Sequence, residues 1–313
     1  MPGIIAAVLA SVAFTFNDAG MKLLSGDYPL HELVFIRAAI ALTLTLAIIM
    51  PLEGGFSNIR TQFLGLHIIR GLCVVMANMT FFLGLASIPL SEATAIFFVS
   101  PLVLTAFSVL FLSERVGPRR WAAVLAGLAG AVIMLRPGSA SFQAAALFPL
   151  AAAFGYAGLH TLTRKIGKSD SASTMAFYVH ISMITVSAAI GLAFGDGRFA
   201  GTDVPSLEFL FRAWRWPPTE DALLIGAIGC ASAAGGYLIS RAYRVSPAAV
   251  IAPFEYVALV LAIIWGATLF GEWPDAVAWL GMALILGGGL FVLWRESVVN
   301  RQLVSKRPMP RNR

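Results

Sequence analysis

Charge is what this chain has least of. Asp, Glu, Lys and Arg make up 12% of its 313 residues, roughly half the share of a soluble domain. An ordinary water-facing surface is therefore excluded. Cysteine is nearly absent too. Cys73 and Cys230 both fall in apolar stretches, so neither a disulfide framework nor a thiolate metal site is indicated. Only four histidines are present, and His31 opens the string HELVF, which lacks the second His of a zinc-protease helix. No nucleophile elbow and no glycine-rich phosphate loop occur. The chain is expected to be no enzyme, to hold no metal or cofactor, and not to be driven directly by ATP. A basic leader is also missing before the first apolar stretch, so Met1 to Phe16 reads as the start of an uncleaved span.

What is there is hydrophobicity. Apolar residues account for 58% of the chain, and the mean hydropathy is +0.83. Apolar runs of about 20 residues recur throughout, each long enough to cross a bilayer core. The spacing predicts ten spans, at 3–24, 30–50, 63–84, 90–112, 119–136, 144–164, 172–194, 220–241, 248–270 and 275–294. They must be helices, because a lipid-exposed backbone has to satisfy its own hydrogen bonds and no barrel pattern is present. The expected class is an all-α polytopic membrane protein. The net charge of +6 sits in short loops and in the tail of Arg301, Lys306, Arg307, Arg311 and Arg313. That suits a solvated end beside anionic membrane lipid rather than a nucleic-acid partner.

Orientation follows from the basic residues. One side receives Arg60, then Arg115, Arg119 and Arg120, then Arg164, Lys165 and Lys168, then Arg241 and Arg244, and the tail from Arg295. The other receives only Lys22, Arg136, Arg198, Arg212 and Arg215. Both termini are expected in the cytoplasm.

The chain also repeats itself. Residues 87–134 reappear without a gap at 245–292, so that Pro89, Glu114, Trp121 and Gly130 correspond to Pro247, Glu272, Trp279 and Gly288. The first two spans align with the sixth and seventh at an offset of 143, pairing Lys22 with Lys165 and Phe35 with Tyr178. Each half then has five helices. An odd number makes the halves enter the membrane from opposite sides, giving an inverted repeat about an axis in the membrane plane. The expected units are 1–139, 140–295 and a basic cytoplasmic tail at 296–313.

Ionisable groups inside spans are costly and therefore candidates for function. Those selected are Asn17, Asp18, Arg37, Arg70, Asn78, Glu92, His160, His180, Tyr237, Glu255 and Tyr256. At the offset of 143, Asn17 maps onto His160 and Arg37 onto His180. The repeat predicts two polar vestibules flanking a central cavity, one with Asp18, Arg37, Asn78 and Glu92, the other with His160, His180, Tyr237 and Glu255. Each residue also has a bland reading. Arg37 could pair with Asp18 as a clamp, Glu92 could serve the helix dipole, and His160 could be ordinary packing. Glu255 is hardest to dismiss, two residues after the carbonyl-freeing Pro253. His180 could titrate in a proton relay. Tyr156, Tyr178, Tyr237, Tyr256, Trp265 and Phe97–Phe98 could line an aromatic cavity, with packing as the default. Small residues at helical spacing (Gly127 with Ala123 and Ala131, Gly226 with Gly229, Gly235 near Ser232) permit close packing or a homodimer face. The long loop 195–219, with Trp214 and Trp216 among Arg212 and Arg215, reads as an interfacial cover, the alternative being a lid that contacts substrate.

The Arg in FIRAAIAL, the stretch IPLSEATAIFFVSPLVLTAFSVLFLSERV and its echo VSPAAVIAPFEYVALVLAIIWGATLFGEW resemble the EamA type of the drug/metabolite transporter superfamily. Arg70–Gly71, with Asn17, Asp18 and Lys22, resembles the branch of S-adenosylmethionine-type uptake carriers and solute carrier family 35, subgroup G. The resemblance implies a secondary transporter that moves a small organic metabolite across a bacterial inner membrane by alternating access. Coexisting acids and bases favour an amino-acid-like, zwitterionic or anionic metabolite, with Arg37 and Arg70 countering a carboxylate or phosphate. Asp18, Glu92 or Glu255 would meet an amine or carry a coupling proton. The rival readings are a multidrug or cationic-compound efflux carrier, an uncoupled facilitator or channel, and a membrane sensor.

Overall fold

The computed structural model describes residues 2–113, 116–138, 143–166, 170–245 and 248–305. Glu114, Arg115, Lys168, Pro247 and the tail residues from Lys306 onward, all used in reading the sequence, lie outside them. The described residues form helices and no strand. Among the described residues, ten helices are long and apolar enough to cross a membrane. Spans 1 to 5 are Pro2–Leu24, Leu30–Leu52, Leu64–Leu85, Leu90–Phe111 and Pro118–Leu135. Spans 6 to 10 are Ala144–Thr163, Ala172–Phe194, Thr219–Ala242, Pro253–Phe270 and Ala276–Arg295. Most ends match those read from hydropathy to within two residues. The helix of span 9 begins at Ala248, as read from hydropathy.

Helix breaks follow proline chemistry. Pro51 lacks the N–H that would bond four residues back, and span 2 loosens into a π turn at Thr45–Ile49 just before it. Span 4 divides into Leu90–Phe97 and Ser100–Leu112, with Pro101 opening the second piece. Span 9 divides at Tyr256, three residues after Pro253.

The halves interleave. Span 1 packs on span 8 and span 3 on span 6, while span 2 meets span 7 and span 5 meets span 10. Spans 4 and 9 touch each other through Leu90–Phe97 and Val257–Phe270, and each also touches the first span of the other half. In water-free surroundings helices associate by close packing, and glycine permits it here. A Cβ on Gly155 would lie 2.8 Å from the Cys73 carbonyl oxygen, so spans 3 and 6 approach to backbone contact. The seam of spans 5 and 10 is similar, since a Cβ on Gly288 would stand 2.7 Å from the Ala123 carbonyl oxygen. Gly127, Gly229 and Gly235, read as permitting close packing or a homodimer face, lie against Leu102, Ile40 and Phe14 within the same chain, while Gly226 has open space around it.

The 195–219 loop covers one end of the bundle. Its short helix Pro205–Phe211 buries Phe209. Ser206 donates to the Leu83 carbonyl, and Arg212 donates to the carbonyls of Ser25 and Tyr28. Trp214 packs on His31 and Phe35, while Trp216 is turned outward and exposed. Beneath it the buried Glu32 accepts from the Arg215 amide at 3.0 Å. Burial, helped by the bond it donates to Asp221, pushes the Tyr28 hydroxyl up to about 12.

Candidate functional site

Spans 1, 2 and 3 meet at Arg37. Its guanidinium is buried and donates to the Asn17 side-chain oxygen at 3.0 Å and to the Asn78 oxygen at 2.5 Å. Asn17 passes the network on, donating from its amide to Asp18 at 3.0 Å. The planar fork of arginine makes this double engagement geometrically natural. Its other face lies 5.0 Å from the Phe82 ring, a cation–π contact in a desolvated setting. Asp18 and Arg37 are within electrostatic reach of each other, but Asn17 stands between them in the hydrogen-bond chain. The direct Arg37–Asp18 clamp contemplated from sequence is thus replaced by a bridged pair.

The second group sits where spans 4 and 9 break. Phe98, at the break of span 4, lies 4.8 Å from Tyr256, at the break of span 9. Phe97 packs edge-on against Tyr156 at 5.1 Å, and Tyr156 meets His160 at 4.3 Å. Glu255 is within electrostatic reach of both Tyr156 and Tyr256. The Tyr256 ring is buried, and its hydroxyl lies above Gly289, where any Cβ would collide with it. The two groups are joined by rings. Phe82 meets Phe81 at 5.5 Å, and Phe81 meets Phe97 at 5.3 Å. An aromatic path therefore runs from the Arg37 guanidinium to the paired breaks.

The structure regroups several residues selected from sequence. His180, assigned to the second vestibule, lies within electrostatic reach of Arg37 and belongs with the first group. The reason is packing, because span 7 lies against spans 2 and 3. Glu92 leaves the first group. It starts span 4 among Lys22, Glu272, Arg136 and Asp275, near the end of the bundle. Tyr237 is exposed and joins neither group through any described hydrogen bond or ring contact. Arg70 is buried, but its fork is occupied by the Thr163 hydroxyl at 2.8 Å and the Met175 carbonyl at 2.9 Å. It ties spans 3, 6 and 7 together and touches neither group. Beside it, His67 bonds Asp170 at 2.7 Å and stacks on Tyr178, whose hydroxyl donates to the Ile59 carbonyl. Burial alone would raise the Asp170 carboxyl, but the bonds from His67 and Thr61 override it and hold the group below its ordinary range.

Phe81, Phe82 and the break in span 4 were missed from sequence. A signal was available. Adding 158 to Phe98 gives Tyr256, so the breaks occupy equivalent repeat positions, and Pro101 marks the first as Pro253 marks the second. A surface cleft of about 280 Å³ lies elsewhere, lined by Ser25, Gly26, Asp203 and Glu208. Arg212 on its wall is already engaged by Ser25 and Tyr28, so the cleft is a seam of the covering loop. Among the described residues no cluster of His, Cys, Asp and Glu could hold a metal ion.

The chain matches the EamA-like transporter family over residues 1–136 and again over 143–294. A protein named riboflavin transporter from Vibrio cholerae is 29% identical over 307 residues, covering 96% of each chain. Another of that name from Rhizobium johnstonii is 30% identical, covering 92% of this chain and 90% of its own. A protein named S-adenosylmethionine uptake transporter from Rickettsia bellii is 26% identical, covering 92% of each. A solved structure aligns with a TM-score of 0.61 at 20% identity, covering 96% of this chain and 98% of its own, a likeness of fold. Ten apolar spans, full-length similarity to named metabolite transporters and the double family match lead to one conclusion: this chain belongs to the EamA-like transporter family and is a multi-pass membrane transporter of a small-molecule metabolite, not an enzyme.

Proposed function

We propose that the chain is a secondary carrier that takes a planar heteroaromatic metabolite with a polar edge and works by alternating access. The observation that carries this reading is the meeting of two helix breaks at Phe98 and Tyr256. Broken helices at matching positions of two repeats are the usual place for a carrier to bind its substrate. Here the breaks are walled by rings. Rings stack on flat heterocycles without demanding one hydrogen-bond pattern. The Arg37–Asn17–Asn78 network offers donors and acceptors to the polar edge, and Glu255 with His160 offers a second polar end. The names of the relatives fit, since riboflavin and S-adenosylmethionine both carry flat nitrogen heterocycles. The zwitterionic preference read from sequence becomes a requirement on the polar edge, to which the rings add planarity.

The two halves would be inverted repeats, at 1–139 and 140–295, with both termini in the cytoplasm of a bacterium and the carrier in its inner membrane. Three features support the repetition itself. The family matches twice, the breaks fall at equivalent positions, and interchanging the halves preserves the packing of span 1 on 8 as span 6 on 3. Protons would couple through Glu255 or through Asp18 and His180.

The test is purified protein in proteoliposomes with riboflavin and, separately, S-adenosylmethionine. Saturable uptake with counterflow is expected for one of them, and ligand should raise the melting temperature, as any ligand of the folded state does. Tyr256→Ala should abolish both while the protein stays folded. Uptake and stabilisation that survive Tyr256→Ala would move the substrate away from the breaks. Flux that neither saturates nor exchanges would make the chain a facilitator.

A further inference from the structure

Lys22 and Glu272 are 250 positions apart and belong to different halves, yet they form an ion pair at 2.5 Å. The lysine also donates to the Ile88 carbonyl at 2.8 Å. The second carboxylate oxygen of Glu272 accepts from the Leu90 amide at 2.9 Å. One pair thus fastens the end of span 1, the start of span 4 and the residues just after span 9. The lysine also lies 5.1 Å from the Phe270 ring. Its side chain is 11% exposed and that of Glu272 is 23% exposed, so water screens the pair only in part.

The arrangement is unusual as a cap. The first amides of a helix need acceptors, and these normally come from a Ser, Thr, Asp or Asn at the helix start. Span 4 starts at Pro89, which has no acceptor side chain. Its cap is supplied instead by Glu272, from the other half of the molecule. The Leu90 amide therefore keeps this acceptor only while the two halves stay together at this end. Spans 4 and 9 are also the two that carry the breaks. A second partner waits for the lysine. Glu92, in the first turn of span 4, is within electrostatic reach of Lys22, Glu272, Arg136 and Asp275. A carboxylate at Glu92 would leave Lys22 an ionic neighbour were it to part from Glu272. A second clasp, Arg136 to Asp275 at 2.5 Å, joins the ends of spans 5 and 10 beside it. The repeat-mate Lys165 is exposed, and Glu114, the repeat-mate of Glu272, lies outside the described residues.

We propose that Lys22 and Glu272 are the gate closing the paired breaks from this end, and that exchange of Lys22 from Glu272 to Glu92 opens it. This rests on the alternating-access reading. The test is substrate-free. Thr94 lies between Leu90 and Phe98 on successive turns of span 4 and is buried. Thr94→Cys, in a background with Cys73→Ser and Cys230→Ser, would be labelled with a membrane-impermeant maleimide in sealed vesicles. Asp27→Cys, in the exposed turn beside Lys22, identifies which vesicle face carries the gate. Lys22→Gln and Glu272→Gln should each raise the labelling rate from that face about tenfold. The exchanged pair, Lys22→Glu with Glu272→Lys, should bring it back down. If the neutral variants fail to fold, Glu272→Asp keeps the charge but draws it back by one methylene, and it should give a smaller rise. Labelling that stays flat in folded protein overturns the gate, and so does a rise that the exchanged pair leaves in place. No substrate enters this assay, so a failed uptake experiment and a failed gate give separate answers.

Discussion

Replacing Arg37 by alanine is the sharpest probe of the site, because one side chain there holds three spans. The guanidinium bonds Asn17 and Asn78 and lies over Phe82. Its removal leaves two amide oxygens without their donor, at about 1–3 kcal/mol each. The low end applies to the half-buried Asn78 and the high end to the buried Asn17. The lost cation–π contact adds about 1–2 kcal/mol. Against this, the variant no longer buries a charge, which returns several kcal/mol. The net expectation is a loss of about 2–4 kcal/mol, or a fall in melting temperature of roughly 4–8 °C for a chain of this size. Arg37→Lys retains the charge but not the fork, so it should lose most of the bridging. The assay is thermal unfolding in detergent, read by tryptophan fluorescence, for Arg37→Ala, Asn78→Ala and the double variant. The cycle should give a coupling of about 1–3 kcal/mol between the two residues. A coupling near zero, with Arg37→Ala melting within a degree of the parent, would refute the network. Unchanged uptake in the same variant would remove Arg37 from the substrate path as well.

Three further outcomes are expected. Gly155→Ala should destabilise by about 1–3 kcal/mol, because its Cβ meets backbone of span 3; Gly117→Ala, with open space around it, is the control, and equal melting of the two would contradict the close approach of spans 3 and 6. Glu255→Gln should impair uptake or flatten its pH dependence without loss of folded protein; full uptake with the parent pH profile removes Glu255 from the mechanism. The Arg136 hydrogen bond, with the Ala278 amide, holds the Asp275 carboxyl below its ordinary value of 3.8. Its contribution to stability is therefore complete above that value and is lost as pH falls through the lower folded value. Asp275→Asn should reduce the acid-side loss of melting temperature, and an unchanged acid limb would show that the clasp carries no stability.

Much of the fold was legible because hydropathy is a local property. A run such as Leu64–Leu85 declares itself within its own 22 residues, since the bilayer tolerates only a helix there. The intramembrane polar residues were legible for the same reason: Arg37 is conspicuous in FIRAAIAL whatever surrounds it. The repeat required only comparison of the chain with itself. Partners were not legible, because a helix's rotation about its axis and its choice of neighbour come from packing against the others. His180 moved to the Arg37 group because span 7 lies against spans 2 and 3, and Glu92 moved away from it because span 4 presents its first turn to Lys22 and Arg136. Phe81 and Phe82 look like any two apolar residues until Arg37 is seen above one and Phe97 beside the other. Lys22 and Glu272, seen in the sequence only as a loop charge and as the repeat-mate of Glu114, became a pair only when the two halves were assembled. The sequence by itself determined ten helices, their ends and the costly residues within them, because insertion into lipid is decided segment by segment. The tertiary structure alone decided which of those residues meet, because contact depends on how all ten helices pack at once.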